Sequence, residues 1–171
     1  MLLLCACTQE TNTTETTGKA VEELPDHESW SFKIKLTNDG IKSSEVSSGY
    51  MARFISRRIY ELSDTVIADF YDEFGNHTSR LTADSATINE SEDIMVARNN
   101  VVVVSDSGIT LYTDELFWDN KKEKIFTDKF FTFIDGMDTL YGYNFESDLT
   151  LKNYSMEQGS AVIYRKISKK K

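Results

Sequence analysis

Three stretches of the chain repeat one another. Leu81-Thr82-Ala83-Asp84, Leu111-Tyr112-Thr113-Asp114 and Leu140-Tyr141-Gly142-Tyr143 stand at steps of 30 and 29 residues, and a fainter copy, Val46-Ser47-Ser48-Gly49, lies 35 residues upstream. A turn signal precedes each copy, at Gly40, Gly75, Gly108 and Gly136. A fixed period of this length means one supersecondary unit that cannot bury its apolar face alone and so stacks on copies of itself.

The texture within the period identifies the unit as β. From Ser29 onward apolar and polar residues alternate in short runs, beginning with Trp30, Phe32, Ile34 and Leu36 on one face of a first strand that breaks at Asn38-Asp39-Gly40. Later breaks carry turn chemistry, as in Asp72-Glu73-Phe74-Gly75-Asn76 and Ser105-Asp106-Ser107-Gly108. Pro25 is the single proline, so nothing after it interrupts a strand ladder. Only Val46 to Leu62 reads equally as helix or strand. The expectation is an all-β chain.

Aligning the copies predicts a facing. A shift of 30 superposes Met95, Ala97, Val101 and Val103 on Ile125, Thr127, Phe131 and Phe133, and a further 31 reaches Met156, Gln158, Val162 and Tyr164. Side chains two apart on a strand share a face. This set is expected inside, with Leu81, Ala83, Leu111, Thr113, Leu140 and Gly142 on the strands that face it. Periodicity alone leaves open whether that interior is a dry core or a groove able to hold acyl chains.

Charge and chemistry exclude several classes. The net charge is −9, and since Arg165 to Lys171 hold five of the 19 basic residues, the rest of the chain carries −14. Such a body repels polyphosphate, so no nucleic-acid partner is expected. His27 falls in a Thr- and Glu-rich tether and His77 in a Gly75-Asn76-His77 turn; no nucleophile motif or metal-ligand cluster is present. The pairs Glu92-Asp93 and Asp114-Glu115 consist of adjacent residues, which on a strand point to opposite faces and cannot converge on one substrate. Neither catalysis, nor a cofactor, nor a metal is expected.

Both cysteines, Cys5 and Cys7, lie in the opening Met1-Leu2-Leu3-Leu4-Cys5-Ala6-Cys7. Leu4-Cys5-Ala6-Cys7 resembles a bacterial lipobox, with Cys7 as the lipidated first residue of the mature chain. Acylation of this kind holds a protein on a membrane without spanning it. The expected organisation is therefore residues 1–7 as a signal remnant, 8–28 as a flexible tether, 29–164 as the β domain and 165–171 as a basic tail.

The run Phe70 to Gly75, then Leu81 to Asp84, Asn99 to Val103, and above all Gly108 to Asp119, resembles the LptC family. LptA and the amino-terminal domain of LptD share the repeat, and the resemblance covers roughly residues 40–164. It implies a β-jellyroll of stacked antiparallel strands with an apolar interior, open along its length. It also implies a role without catalysis: a periplasmic component, on the inner membrane, that accepts the lipid A acyl chains of lipopolysaccharide from the ABC transporter LptB, LptF and LptG and passes them to an LptA-like bridge. The lipid path carried over to the interior comprises Leu81, Ala83, Met95, Val101, Val103, Leu111, Ile125, Phe131, Phe133 and Leu140. Partner strands would be those of Phe32, Ile34 and Leu36 at one end and of Tyr154, Met156 and Val162 at the other. Where the family typically has an amino-terminal transmembrane helix, this chain offers the lipobox-like Cys7. The alternative is a cell-surface or periplasmic β-lipoprotein that binds glycan or protein through its outer face.

Overall fold

The structure is a computed structural model that describes residues 23–38 and 40–163. Cys7, the signal remnant, most of the tether, Tyr164 and the basic tail lie outside the described residues.

The described residues form twelve strands: β1 (His27–Asn38), β2 (Ile41–Phe54), β3 (Ile59–Ser63), β4 (Val66–Tyr71), β5 (His77–Ala83), β6 (Ser85–Asn89), β7 (Ile94–Ser105), β8 (Thr110–Asp119), β9 (Lys124–Thr127), β10 (Phe131–Asp135), β11 (Asp138–Asp148) and β12 (Tyr154–Val162). Every pairing is antiparallel, and all twelve belong to one sheet. The stretch that reads as helix or strand, Val46 to Leu62, is the second half of β2, a turn and β3.

That sheet is folded into two leaves. Residues 44–47 of β2 pair with β4, whereas residues 50–54 pair with β3. In the same way β7 divides its length between β5 and β6, β8 between β10 and β9, and β11 between β10 and β9. One leaf therefore holds β4, β5 and β10, the other holds β3, β6 and β9, and the long strands run through both. Phe70 of the first leaf meets Trp118 of the second edge to face, with ring centroids 4.9 Å apart. This is the expected β-jellyroll with an apolar interior.

The fold line has a chemistry of its own. The φ angles are positive at Ser31, Asp64, Thr65, Asn99, Asn100, Asn144 and Gln158, all polar residues, among which Asn and Asp tolerate the left-handed region best. Gly49, Asp84 and Asp114 occupy the same line. Gly49 donates its amide to the Asp64 carbonyl at 3.0 Å, and a Cβ there would meet the Asp64 carbonyl oxygen at 2.7 Å. Asp84 takes its amide bond to Asn99 O at 3.0 Å and accepts from Asn100 Nδ2 at 2.7 Å. The corners recur about every fifteen residues. A thirty-residue repeat is thus one hairpin that crosses the corner twice, and Gly49, Asp84 and Asp114 are the last residues of their repeat copies.

Packing corrects the predicted facing in three places. Leu81, Val103, Leu111, Phe133 and Leu140 are cross-strand neighbours in one row of the first leaf, so the repeat's leucines flank the Val and Phe positions and do not oppose them. The second leaf contributes Leu62, Ala86, Ala97, Leu116, Trp118, Ile125 and Phe145 to the same buried core. On β12, Gln158 and Val162 are exposed rather than inside, because an edge strand has one neighbour and its register slips twice around Tyr143. Trp30 also leaves the face of Phe32, Ile34 and Leu36: Ser31, at φ 58°, turns the strand, and Trp30 stands 70% exposed against Tyr50.

Candidate functional site

Nine of the ten interior positions are buried: Leu81, Ala83, Met95, Val101, Val103, Leu111, Ile125, Phe131 and Phe133. Leu140 is half-buried and packs on the same core. Most of these side chains fill space between the leaves. Phe131 and Phe133 both pack on Phe145, at centroid distances of 4.9 and 5.5 Å.

The space left open lies toward β1. Ile34 and Leu36 of β1, Tyr60 of β3, Ile88 of β6, Met95 of β7 and Trp118 of β8 line a cavity of about 300 Å³, at the lower end of ligand-sized pockets. These side chains converge because β1 pairs along the whole of β2 and so lays its inner face opposite the ends of the second leaf. A second cavity of about 310 Å³ continues from Trp118 and Asn120 to Tyr71 and Leu149. Together they form a groove along the mouth between the leaves, apolar where Ile34, Leu36, Ile88, Met95 and Trp118 line it and polar beyond, where Thr37, Ser43, Lys121 and Glu123 do.

The rim is polar and internally paired. Tyr60 donates its hydroxyl to Glu90 at 3.1 Å, and Glu90 also meets Arg53 at 3.5 Å, while the Arg53 guanidinium lies over the Tyr60 ring. Burial, then the bond to Glu90, pushes the Tyr60 phenol above its ordinary value. Lys121 pairs with Asp93 at 2.9 Å and Lys122 with Asp119 at 2.9 Å, and the Lys122 ammonium holds the Asp119 carboxyl below the usual range. Trp118, which lines both cavities, has its Nε1 hydrogen buried with no partner, and between the leaves the Ser44 hydroxyl is buried without one too.

Arrangements for other chemistry are not brought together. His77 is the first residue of β5, not a free turn residue; its ring nitrogens meet Asp106 at 2.7 Å and Asp69 at 3.2 Å, and Asp69 also holds Arg80. His27 opens β1 and is exposed. Glu92 and Asp93 occupy the turn between β6 and β7, and Glu115 is tied to Arg98 at 2.8 Å. Among the described residues no group of three His, Cys, Asp or Glu side chains could hold a metal ion.

Of the interior positions predicted from the repeat, Met95 lines the cavity. Ile34 and Leu36, read from sequence as partner-strand residues, line it too. Tyr60, Ile88 and Trp118 are not among the interior positions expected from the sequence. Trp118 escapes it because the corner at Asp114 resets the alternation: Leu111 and Thr113 point inward, then Leu116 and Trp118 do. The Asp that closes the copies at Asp84 and Asp114 is the signal that would have shown the reset.

Architecture and groove together define an open β-jellyroll whose apolar interior is accessible along one mouth. The chain belongs to the LptC-related lipopolysaccharide-assembly family, whose model matches residues 1–162. No curated protein matches it. Members of that family are transport-associated components of the envelope and take part in lipopolysaccharide transport. No helix among the described residues is long and apolar enough to cross a membrane.

Proposed function

We propose that this chain carries the lipid A acyl chains of lipopolysaccharide in the groove between its leaves, without catalysing a reaction. The observation that supports the reading is the groove itself, whose apolar part is bounded by Ile34, Leu36, Tyr60, Ile88 and Trp118 and rimmed by paired charges. Each methylene transferred from water contributes about 0.8 kcal/mol. A short groove therefore holds part of an acyl chain firmly enough for capture and loosely enough for release.

In this reading the transporter LptB, LptF and LptG delivers at β1 and an LptA-like bridge receives at β12. Both strands end the sheet with one neighbour each, which leaves a row of backbone groups for β-augmentation. Acylation of Cys7 would hold the protein on the periplasmic face of the inner membrane. The interior positions Leu81, Ala83, Val101, Val103, Leu111, Ile125, Phe131, Phe133 and Leu140 then support the groove's wall, and Met95 touches the lipid.

A photo-crosslinking residue at Leu36 or Ile88 is expected to yield a lipopolysaccharide adduct in cells, and one at Arg80, on the outer face, is not. One observation favours the second reading, a glycan or protein bound outside: Tyr112, Phe130 and Tyr143 are exposed together on the outer face, with Phe130 stacked on Tyr141. Adducts at Tyr112 with none at Leu36 would decide for it.

A further inference from the structure

The groove does not run through to β12. It ends at the β11–β12 loop, residues 149–153, which leaves the second leaf and reaches the first. Leu151 is fully buried, Leu149 packs on the core, and the Ser79 hydroxyl donates to the Leu149 carbonyl at 2.6 Å. Ser79 belongs to β5 of the first leaf, so this bond ties the two leaves together at the mouth.

The loop is built to present that leucine inward. Asp148 accepts from the Thr150 amide at 3.0 Å, the Thr150 hydroxyl at 2.7 Å and the Asn153 side chain at 2.6 Å, and its own carbonyl accepts from the Leu151 amide at 3.2 Å. Leu151 sits at φ 61°, a region costly for a residue with a branched side chain, and strain of this kind persists where the surroundings impose it. A loop that only needed to turn would place Gly or Asn there.

The loop's contacts are those of an acyl ester: aliphatic groups in an apolar slot and a carbonyl oxygen held by a buried hydroxyl. Ser44, in the same inward row as Phe70 and Ser79, offers a second buried hydroxyl that has no partner. Resting on the reading of the groove as a lipid path, we propose that the β11–β12 loop is a displaceable plug that occupies the position of an acyl chain, with Ser79 the hydroxyl that takes over the lipid's ester or amide carbonyl when the loop leaves. Passage toward β12 then requires Leu151 to swing out.

Hydrogen exchange on the full chain, with and without purified lipopolysaccharide, tests this. The expected result is slower exchange in residues 32–36 of β1 and, at the same lipid concentration, at least about tenfold faster exchange of the Leu151 amide as the loop opens. Slower exchange in β1 with the loop unchanged or slowed would overturn the plug and leave lipid carriage standing. No response in either segment would overturn carriage, and the plug with it. A second variant separates a plug from ordinary core: Leu151→Ala weakens the closed form, so the binding-competent fraction rises and the apparent Kd for lipopolysaccharide falls, by about tenfold if the loop is mostly closed. A folded Leu151→Ala protein that binds no tighter than the parent would refute the plug.

Discussion

Phe131 shows what a single residue does here. It is fully buried, touches Phe145, and lies between Thr113 and Gly142 in the pairing of β10 with its neighbours. A Cβ at Gly142 would meet the Phe131 ring at 3.2 Å, so the glycine makes the space the ring fills. Phe131→Ala is therefore expected to cost about 3–5 kcal/mol, read as a shift of the urea midpoint. Phe131→Asp would bury an unpaired carboxylate and unfold the domain, so loss of transport in that variant would say nothing about the path of the lipid. At this scale the sequence was a good guide wherever a strand kept its period of two, as from Val101 to Val103 and Phe131 to Phe133. It misled at Trp30, where one residue with left-handed backbone reverses the face, and it was silent on Trp118, beyond the corner. Pattern reading assumes an unbroken strand; the corner breaks that assumption at one or two residues per crossing.

At the scale of the element, the corner and the β11–β12 loop depend on local bonding more than on apolar burial. Gly49→Ala forces a methyl against the Asp64 carbonyl and is expected to destabilise the fold by about 1–3 kcal/mol, measurable as a lower Tm. The loop should respond to acid. Burial pushes the Asp148 carboxyl up, but hydrogen bonds from Thr150, Asn153 and the Lys152 amide outweigh it and hold the group below its ordinary 3.8. A carboxyl depressed in the folded state adds stability that is present above its unfolded pKa and is lost as pH falls through the folded one. The Tm difference between the parent protein and Asp148→Ala should thus be constant near neutrality and shrink as pH drops from about 5 toward 3. A difference that stays level over that range would mean the loop is held by packing alone. The loop's role was not legible in the sequence, where Leu149-Thr150-Leu151 carries no repeat equivalent and reads as a plain connection.

The whole molecule is a sheet that ends in two different strands. β12 covers Phe133 and Phe145 through Tyr154, at centroid distances of 4.6 and 5.9 Å, yet most of its other side chains are exposed. β1 covers the groove with Ile34 and Leu36. Removing residues 154–171 should accordingly leave capture by the transporter intact and abolish capture of an LptA-like partner, as read by affinity pull-down from envelopes. Loss of both would mean that the shortened sheet no longer folds, which circular dichroism of the same preparation would show. The repeat made this architecture readable from sequence because stacked units share one geometry. It could not show where the stack is hollow, since most of the groove's apolar lining comes from β1, β3 and β6, none of which carries a copy of the repeat.

Each crossing of the corner adds one strand to both leaves. Nine strands, β1, β2, β4, β5, β7, β8, β10, β11 and β12, run across the first leaf, which at about 4.8 Å per strand spans about 40 Å. One more thirty-residue unit would lengthen the body by about 10 Å and leave its cross-section unchanged. The repeat is in that sense a ruler: the number of copies sets how far apart the two terminal edges stand, and so the span a chain of this kind can bridge.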